Sequence, residues 1–200
     1  MYLDGLNERQ REAVMATEGA VMVLAGAGAG KTKTITHRIA HLIAGGVPAD
    51  KILAVTFTNK AATEMRDRIY RLINNEPKMR SSGNGYTSGP TIGTFHSLGV
   101  RLLREFGPAL NISKSFSIWD RSESNKAITA ALKAIGEDPK RYEPRRILGR
   151  ISRIKGDGLS LADYRRETRT PWEEVVARVW ERYETALREE KALDFDDLLT

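Results

Sequence analysis

Two hundred residues can hold one domain with a sizeable core plus a smaller appendage, and 40% hydrophobic with 29% charged residues is the composition of a folding globular chain, which excludes disordered and fibrous classes. Lys and Arg number 32 against 26 Asp and Glu, a net charge of +6 that suits a polyanionic partner. The absence of cysteine excludes disulfides and thiolate metal sites, three histidines make a structural zinc unexpected, and a reducing cytoplasm is the expected compartment.

The N-terminal stretch MYLDGLNERQREAV is charged where a signal peptide needs an apolar core, and no apolar run reaches the roughly 18 residues of a membrane span, so no membrane contact is expected. Val21-Met22-Val23-Leu24 predicts a strand, the glycines after it a loop, and Ile35, Ile39, Leu42 and Ile43 at helical spacing a helix stopped by Gly45-Gly46. Ile52-Leu53-Ala54-Val55 predicts a second strand buried on both faces, as in a parallel sheet covered by helices, which completes a βαβ unit. Ala61, Ala62, Met65, Ile69, Leu72 and Ile73 mark one face of a further helix. Residues 74–90, rich in turn formers, read as a mobile surface loop.

Thr91–Thr94 then predicts a short strand running into a helix that carries Phe95, Leu98, Leu102 and Phe106, and Phe116–Trp119 one more strand. From about 121 to 191 the pattern is helical, with one stripe at Ile128, Ala131, Leu132 and Ile135 and another at Val175, Val176, Val179, Tyr183 and Leu187. Thr170-Pro171-Trp172-Glu173 specifies the start of the last long helix, with a capping threonine, Pro at the first helical position and Glu at the capping-box position. The expectation is an α/β fold, a parallel sheet flanked by helices over 1–120, with an all-helical subdomain at 121–191 and a return toward the first domain at 192–200.

Ala25-Gly26-Ala27-Gly28-Ala29-Gly30-Lys31-Thr32 lies between the first expected strand and the first expected long helix, the setting a phosphate-binding loop requires. Small residues let backbone N–H groups turn inward around phosphate oxygens, and the helix N-terminus adds partial positive charge. Lys31 has the reach for β- and γ-phosphates, and the Thr32 hydroxyl is the expected Mg²⁺ ligand. The generic pattern asks for Gly where this chain has Ala25.

With Ala in that first place, the loop resembles that of the Rep/UvrD/PcrA-type superfamily 1 DNA helicases, although Ala29 stands where the family usually has Ser and Lys33 where relatives often have Arg. Leu6-Asn7-Glu8-Arg9-Gln10-Arg11-Glu12-Ala13-Val14 is similar to the family's segment ahead of the first strand, and the resemblance assigns adenine reading to Gln10. Thr56-Phe57-Thr58-Asn59-Lys60-Ala61-Ala62 and Gly93-Thr94-Phe95-His96-Ser97 resemble its first two DNA-contacting motifs. Those motifs imply single-stranded DNA as a ligand, held by Phe57, Thr58, Asn59, Lys60, Thr94, Phe95 and His96. Hydroxyls, an amide and a cation at strand ends hold phosphates, and exposed aromatics stack on unpaired bases. For Phe57 and Phe95 core packing is the alternative, since both adjoin apolar runs.

The resemblance thus implies a RecA-like ATP-binding domain with a helical insertion, ATP and Mg²⁺ as cofactors, single-stranded and forked DNA as partners, 3′–5′ polarity and a role of the DNA-repair kind. It places the Mg²⁺-binding acidic strand and the second motor domain after residue 200. The chain is therefore expected to be a monomeric fragment of a longer motor that neither hydrolyses ATP usefully nor unwinds DNA alone. Asp194, Asp196 and Asp197, preceded only by Ala-Leu, read as a helix start rather than as that acidic strand. A nucleotide kinase, a non-catalytic ATP-modulated DNA-binding module and a helicase–nuclease subunit share parts of this pattern. Lys140–Lys155 packs seven basic residues against one Glu. On a helix from Pro144, Arg146, Arg150 and Arg153 fall on one narrow face beside an apolar stripe of Ile147, Ile151 and Ile154. That face is either merely solvated or a phosphate contact on DNA.

Overall fold

The computed structural model describes residues 3–74 and 89–200. Most of the loop expected at 74–90 lies outside the described residues. The chain divides into two compact units, Met1–Phe95 and His96–Thr200. Helices and short parallel strand pairs make up both, a mixed α/β architecture. Among the described residues no helix is long and apolar enough to cross a membrane.

In the first unit, α1 (Glu8–Met15) and α2 (Lys31–Ala44) precede β1 (Leu53–Thr56), α3 (Asn59–Asn74) and β2 (Thr91–Thr94). β1 and β2 pair in parallel, with Leu53 opposite Thr91 and Thr56 opposite Thr94. Parallel pairing needs a crossover, and α3 supplies it. Its apolar stripe places Met65 and Ile69 in a core with Ile39 of α2, Ile52, Ala54 and Ile92. Arg38 ties α2 to α1, donating to the Ala13 carbonyl at 2.7 Å and to the carbonyl of Ala16.

Three expectations for this unit are corrected. The βαβ unit observed is β1–α3–β2, and Val21–Leu24 forms no strand: none of the described strands pairs with the run, and Met22 and Leu24 are more than 80% exposed. β1 is buried on one face only, with Ile52 and Ala54 inward and Leu53 outward, because the core cluster covers a single side. Ile35 faces out of α2 while Thr36, Ile39 and Ala40 face in.

The second unit holds the rest of α4 (Phe95–Phe106), then β3 (Ser117–Ile118), α5 (Arg121–Ala134), α6 (Pro144–Gly156), α7 (Leu161–Glu167), α8 (Pro171–Glu189) and β4 (Ala192–Leu193). No residue of α4 is buried, so its expected stripe covers no core; Leu102 and Phe106 are exposed. Reciprocal capping boxes start α5 (Asp120, Glu123), α7 (Ser160, Asp163) and α8 (Thr170, Glu173), the last with Pro171 at the head of the helix as expected. Ile128, Leu132, Ile147, Ile151, Val176, Val179, Trp180 and Tyr183 form the core. β3 and β4 pair in parallel, Ser117 opposite Ala192, so the chain leaves for the four helices and returns at the same place.

Candidate nucleotide and nucleic-acid sites

Two of the three glycines of the phosphate loop are required by its backbone. Gly28 has φ +77° and Gly30, the residue that caps α2, φ +82°, a left-handed region that costs other residues energy. Immediately after Gly30 come Lys31 and Thr32, in the first turn of α2, where backbone N–H groups have no intrahelical acceptor. The Lys31 ammonium lies across the loop, donating to the carbonyls of Ala25 at 2.9 Å and Gly26 at 2.7 Å. Ala27 and Ala29 are exposed between them, and Thr32 is half-buried. Lys33 turns the other way, onto the Gly5 carbonyl at 2.5 Å.

Gln10 sits against this loop. Its Nε2 donates to the Ala29 carbonyl at 3.0 Å, and a Cβ at position 30 would come within 2.7 Å of the same nitrogen. Its Oε1 accepts from the Asn7 backbone N–H at 3.1 Å, while the Asn7 side chain accepts from the Gln10 N–H at 2.8 Å, a reciprocal capping box at the head of α1. A side chain at position 30 would therefore displace the Gln10 amide, in addition to the strain set by the left-handed φ.

At the C-terminal ends of β1 and β2, the register that sets Thr56 opposite Thr94 carries the next residues, Phe57 and Phe95, side by side. Their ring centroids are 5.4 Å apart at an interplanar angle of 48°. Phe57 is 87% exposed and Phe95 is also exposed, so neither is a core residue. Thr58 caps α3, its hydroxyl accepting from the Ala61 N–H at 3.1 Å, and Asn59 and Lys60 are exposed in the first turn. Thr94 is buried at the end of β2. In the second unit, His96 meets the Phe195 ring edge-on at 5.6 Å.

The basic stripe of α6 divides. Arg146 and Arg153 are exposed, whereas Arg150 is half-buried with its guanidinium 5.5 Å from the Tyr164 ring centroid. Lys155 leaves the basic surface altogether. Its ammonium is buried and contacts Asp197 at 2.6 Å, Asp194 at 2.8 Å and Glu184 at 3.4 Å. Tyr183 donates to Asp194 at 3.1 Å. Burial works against the Lys155 charge, but the carboxylates of Asp197, Asp194 and Glu184 overcome it and hold its pKa above the ordinary lysine value. One ammonium cannot neutralise three carboxylates. Burial, aided by the Asp194 charge and opposed by Lys155, pushes the Asp197 carboxyl up to about 6, while Lys155 prevails over burial at Asp194 and holds that group below the usual range. Asp194 and Asp197 also bond each other's backbone N–H, at 2.9 and 3.0 Å, a capping arrangement around an ion pair.

The UvrD/REP helicase N-terminal domain model matches residues 6–200. The chain belongs to this family. Relatives carrying the name ATP-dependent DNA helicase PcrA include those of Leuconostoc citreum, 41% identical over 98% of this chain, and of Staphylococcus aureus strain Mu50, 38% identical over 98%. A Staphylococcus epidermidis relative of that name is 39% identical over 97%. The chain spans about a quarter of the length of these curated relatives, 25–26%.

Within this UvrD/REP domain, two features escaped the motif reading. Asn7 was legible, since Asn-x-x-Gln ahead of an apolar residue is a capping signal. The burial of Lys155 had no local signal, because its partners lie 29 to 42 residues onward, in α8 and beyond β4.

Proposed function

We propose that this chain is the ATP-binding, single-stranded-DNA-contacting N-terminal portion of an ATP-dependent DNA helicase. The phosphate loop carries the reading. Left-handed Gly28 and Gly30 open the backbone at the head of α2, and the Lys31 ammonium already lies across the loop on two neutral carbonyls. Phosphate oxygens offer that ammonium charged, stronger acceptors. The donor set fits a nucleoside triphosphate: backbone N–H groups of Ala25–Thr32 and Lys31 for phosphates, Gln10 for adenine and the Thr32 hydroxyl for Mg²⁺. Held there by Thr32, Mg²⁺ would supply positive charge against the phosphates.

Phe57 and Phe95 form a stacking platform for unpaired bases, flanked by Thr58, Asn59 and Lys60 for phosphates, with Thr94 and His96 completing the second motif. The first unit is read as the start of a RecA-like domain into which residues 121–191 are inserted. The parallel pairing of β3 with β4 at the two ends of the helices supports that. Forked DNA and 3′–5′ movement follow for the whole motor from the family alone.

Ligand-linked stabilisation tests the nucleotide half. ATP with Mg²⁺ at about a hundredfold excess over Kd should stabilise the chain by about 2.7 kcal/mol and raise its melting temperature. Chelating Mg²⁺ or substituting Thr32→Val should diminish the rise. No shift in the wild type, or an equal Mg²⁺-dependent shift in Thr32→Val, overturns the assignment.

A further inference from the structure

We infer that Asn7 is a positioning residue for base selection, acting through Gln10. The inference rests on the reading of Gln10 as the adenine contact. A glutamine amide offers two N–H donors and two acceptor lone pairs, and a free one presents them in either orientation. Here both ends are engaged. Asn7 N–H holds Oε1, and the Ala29 carbonyl holds one N–H of Nε2.

One donor and one acceptor therefore remain, in a fixed order set by the capping box of α1 at one end and the phosphate loop at the other. Adenine offers the complement at its N7 and 6-amino group, whereas guanine offers two acceptors at N7 and O6. With Oε1 pinned, the guanine O6 would face an acceptor. The same pin explains why the amide rests over Gly30, where any Cβ would meet Nε2.

Asn7 has φ −73°, a value proline adopts, so Asn7→Pro deletes both the N–H that holds Oε1 and the side-chain acceptor at a φ the ring accepts. Asn7→Ser keeps both groups. The measurement is competition of ATP and of GTP against a fluorescent ATP analogue on the full 200-residue chain, read as the ratio of the two dissociation constants. A merely structural cap would weaken both nucleotides alike and leave the ratio unchanged.

The expected result is that Gln10→Ala abolishes the preference for ATP and Asn7→Pro lowers it roughly fivefold, the worth of about one hydrogen bond, with Asn7→Ser at the wild-type ratio. A second readout is independent of affinity: the side-chain amide ¹⁵N–¹H pair of Gln10 should collapse toward averaged shifts in Asn7→Pro and stay resolved in Asn7→Ser. If Gln10→Ala abolishes the preference while Asn7→Pro retains it, the positioning role falls and the adenine contact stands. If Gln10→Ala keeps the preference, both fall.

Discussion

The rings of Phe57 and Phe95 meet at 5.4 Å because their predecessors, Thr56 and Thr94, are paired residues of two parallel strands. Residues 38 positions apart in the chain thereby become one aromatic surface at the strand ends. Stacking on an exposed ring contributes about 1–3 kcal/mol per base. Phe57→Ala should weaken binding of a labelled oligo(dT) roughly tenfold in fluorescence anisotropy, and Phe95→Ala comparably, while the melting temperature of Phe57→Ala stays near wild type since the ring covers no core. Undiminished oligonucleotide binding in the double variant would contradict the platform.

On α6, the engagement of Arg150 with Tyr164 leaves Arg146 and Arg153 as the free cations of the stripe. If each meets one phosphate of duplex or forked DNA, Arg146→Gln with Arg153→Gln should flatten the slope of log K against log salt by about two units. Adding Arg150→Gln should change the slope little and lower stability instead. Equal slopes in wild type and double variant would return the stripe to ordinary surface.

Local pattern made much of this legible and non-local partnership the rest. The capping run Thr170–Glu173, the apolar stripe of α8 and the phosphate loop are fixed by residues within a few positions of one another, and the structure forms the cap and the stripe as expected. Val21–Leu24 has the same local apolar signature, yet a strand exists only through hydrogen bonds to a neighbour, and none of the described strands pairs with it. The sequence left Phe57 and Phe95 open between core and surface because their exposure depends on the register of β1 against β2. Lys155 reads as one more cation of a basic run, and its burial among Asp194, Asp197 and Glu184 follows from packing of α6 against the end of the helical core.

Removing that ammonium leaves a surplus of buried negative charge. Lys155→Met should destabilise the chain by about 3–5 kcal/mol, the range for breaking a buried pair from one side. Urea denaturation followed by circular dichroism reads this as a lower midpoint with an unchanged slope. A midpoint equal to wild type would show that the cluster is neutralised some other way.

The same cluster makes stability depend on pH in two opposed senses. Asp197, with its folded pKa raised to about 6 from 3.8, contributes stability that is full below about 3.8 and is lost as pH rises through about 6. Asp194, with its pKa lowered, contributes stability that is full above about 3.8 and is lost as pH falls through its folded value. Between about pH 4 and 7 the wild type should therefore lose unfolding free energy relative to Asp197→Asn as pH rises. Parallel pH profiles for the two proteins would contradict the assignment.

The central claim is that Ala25–Thr32 holds nucleotide phosphates with Lys31 as their cation. Equilibrium titration of a fluorescent ATP analogue into the wild-type chain and into Lys31→Ala, each with and without Mg²⁺, tests it most directly. Saturable, Mg²⁺-assisted binding by the wild type and its loss in a folded Lys31→Ala protein is the expected result; equal binding by the two would contradict the account.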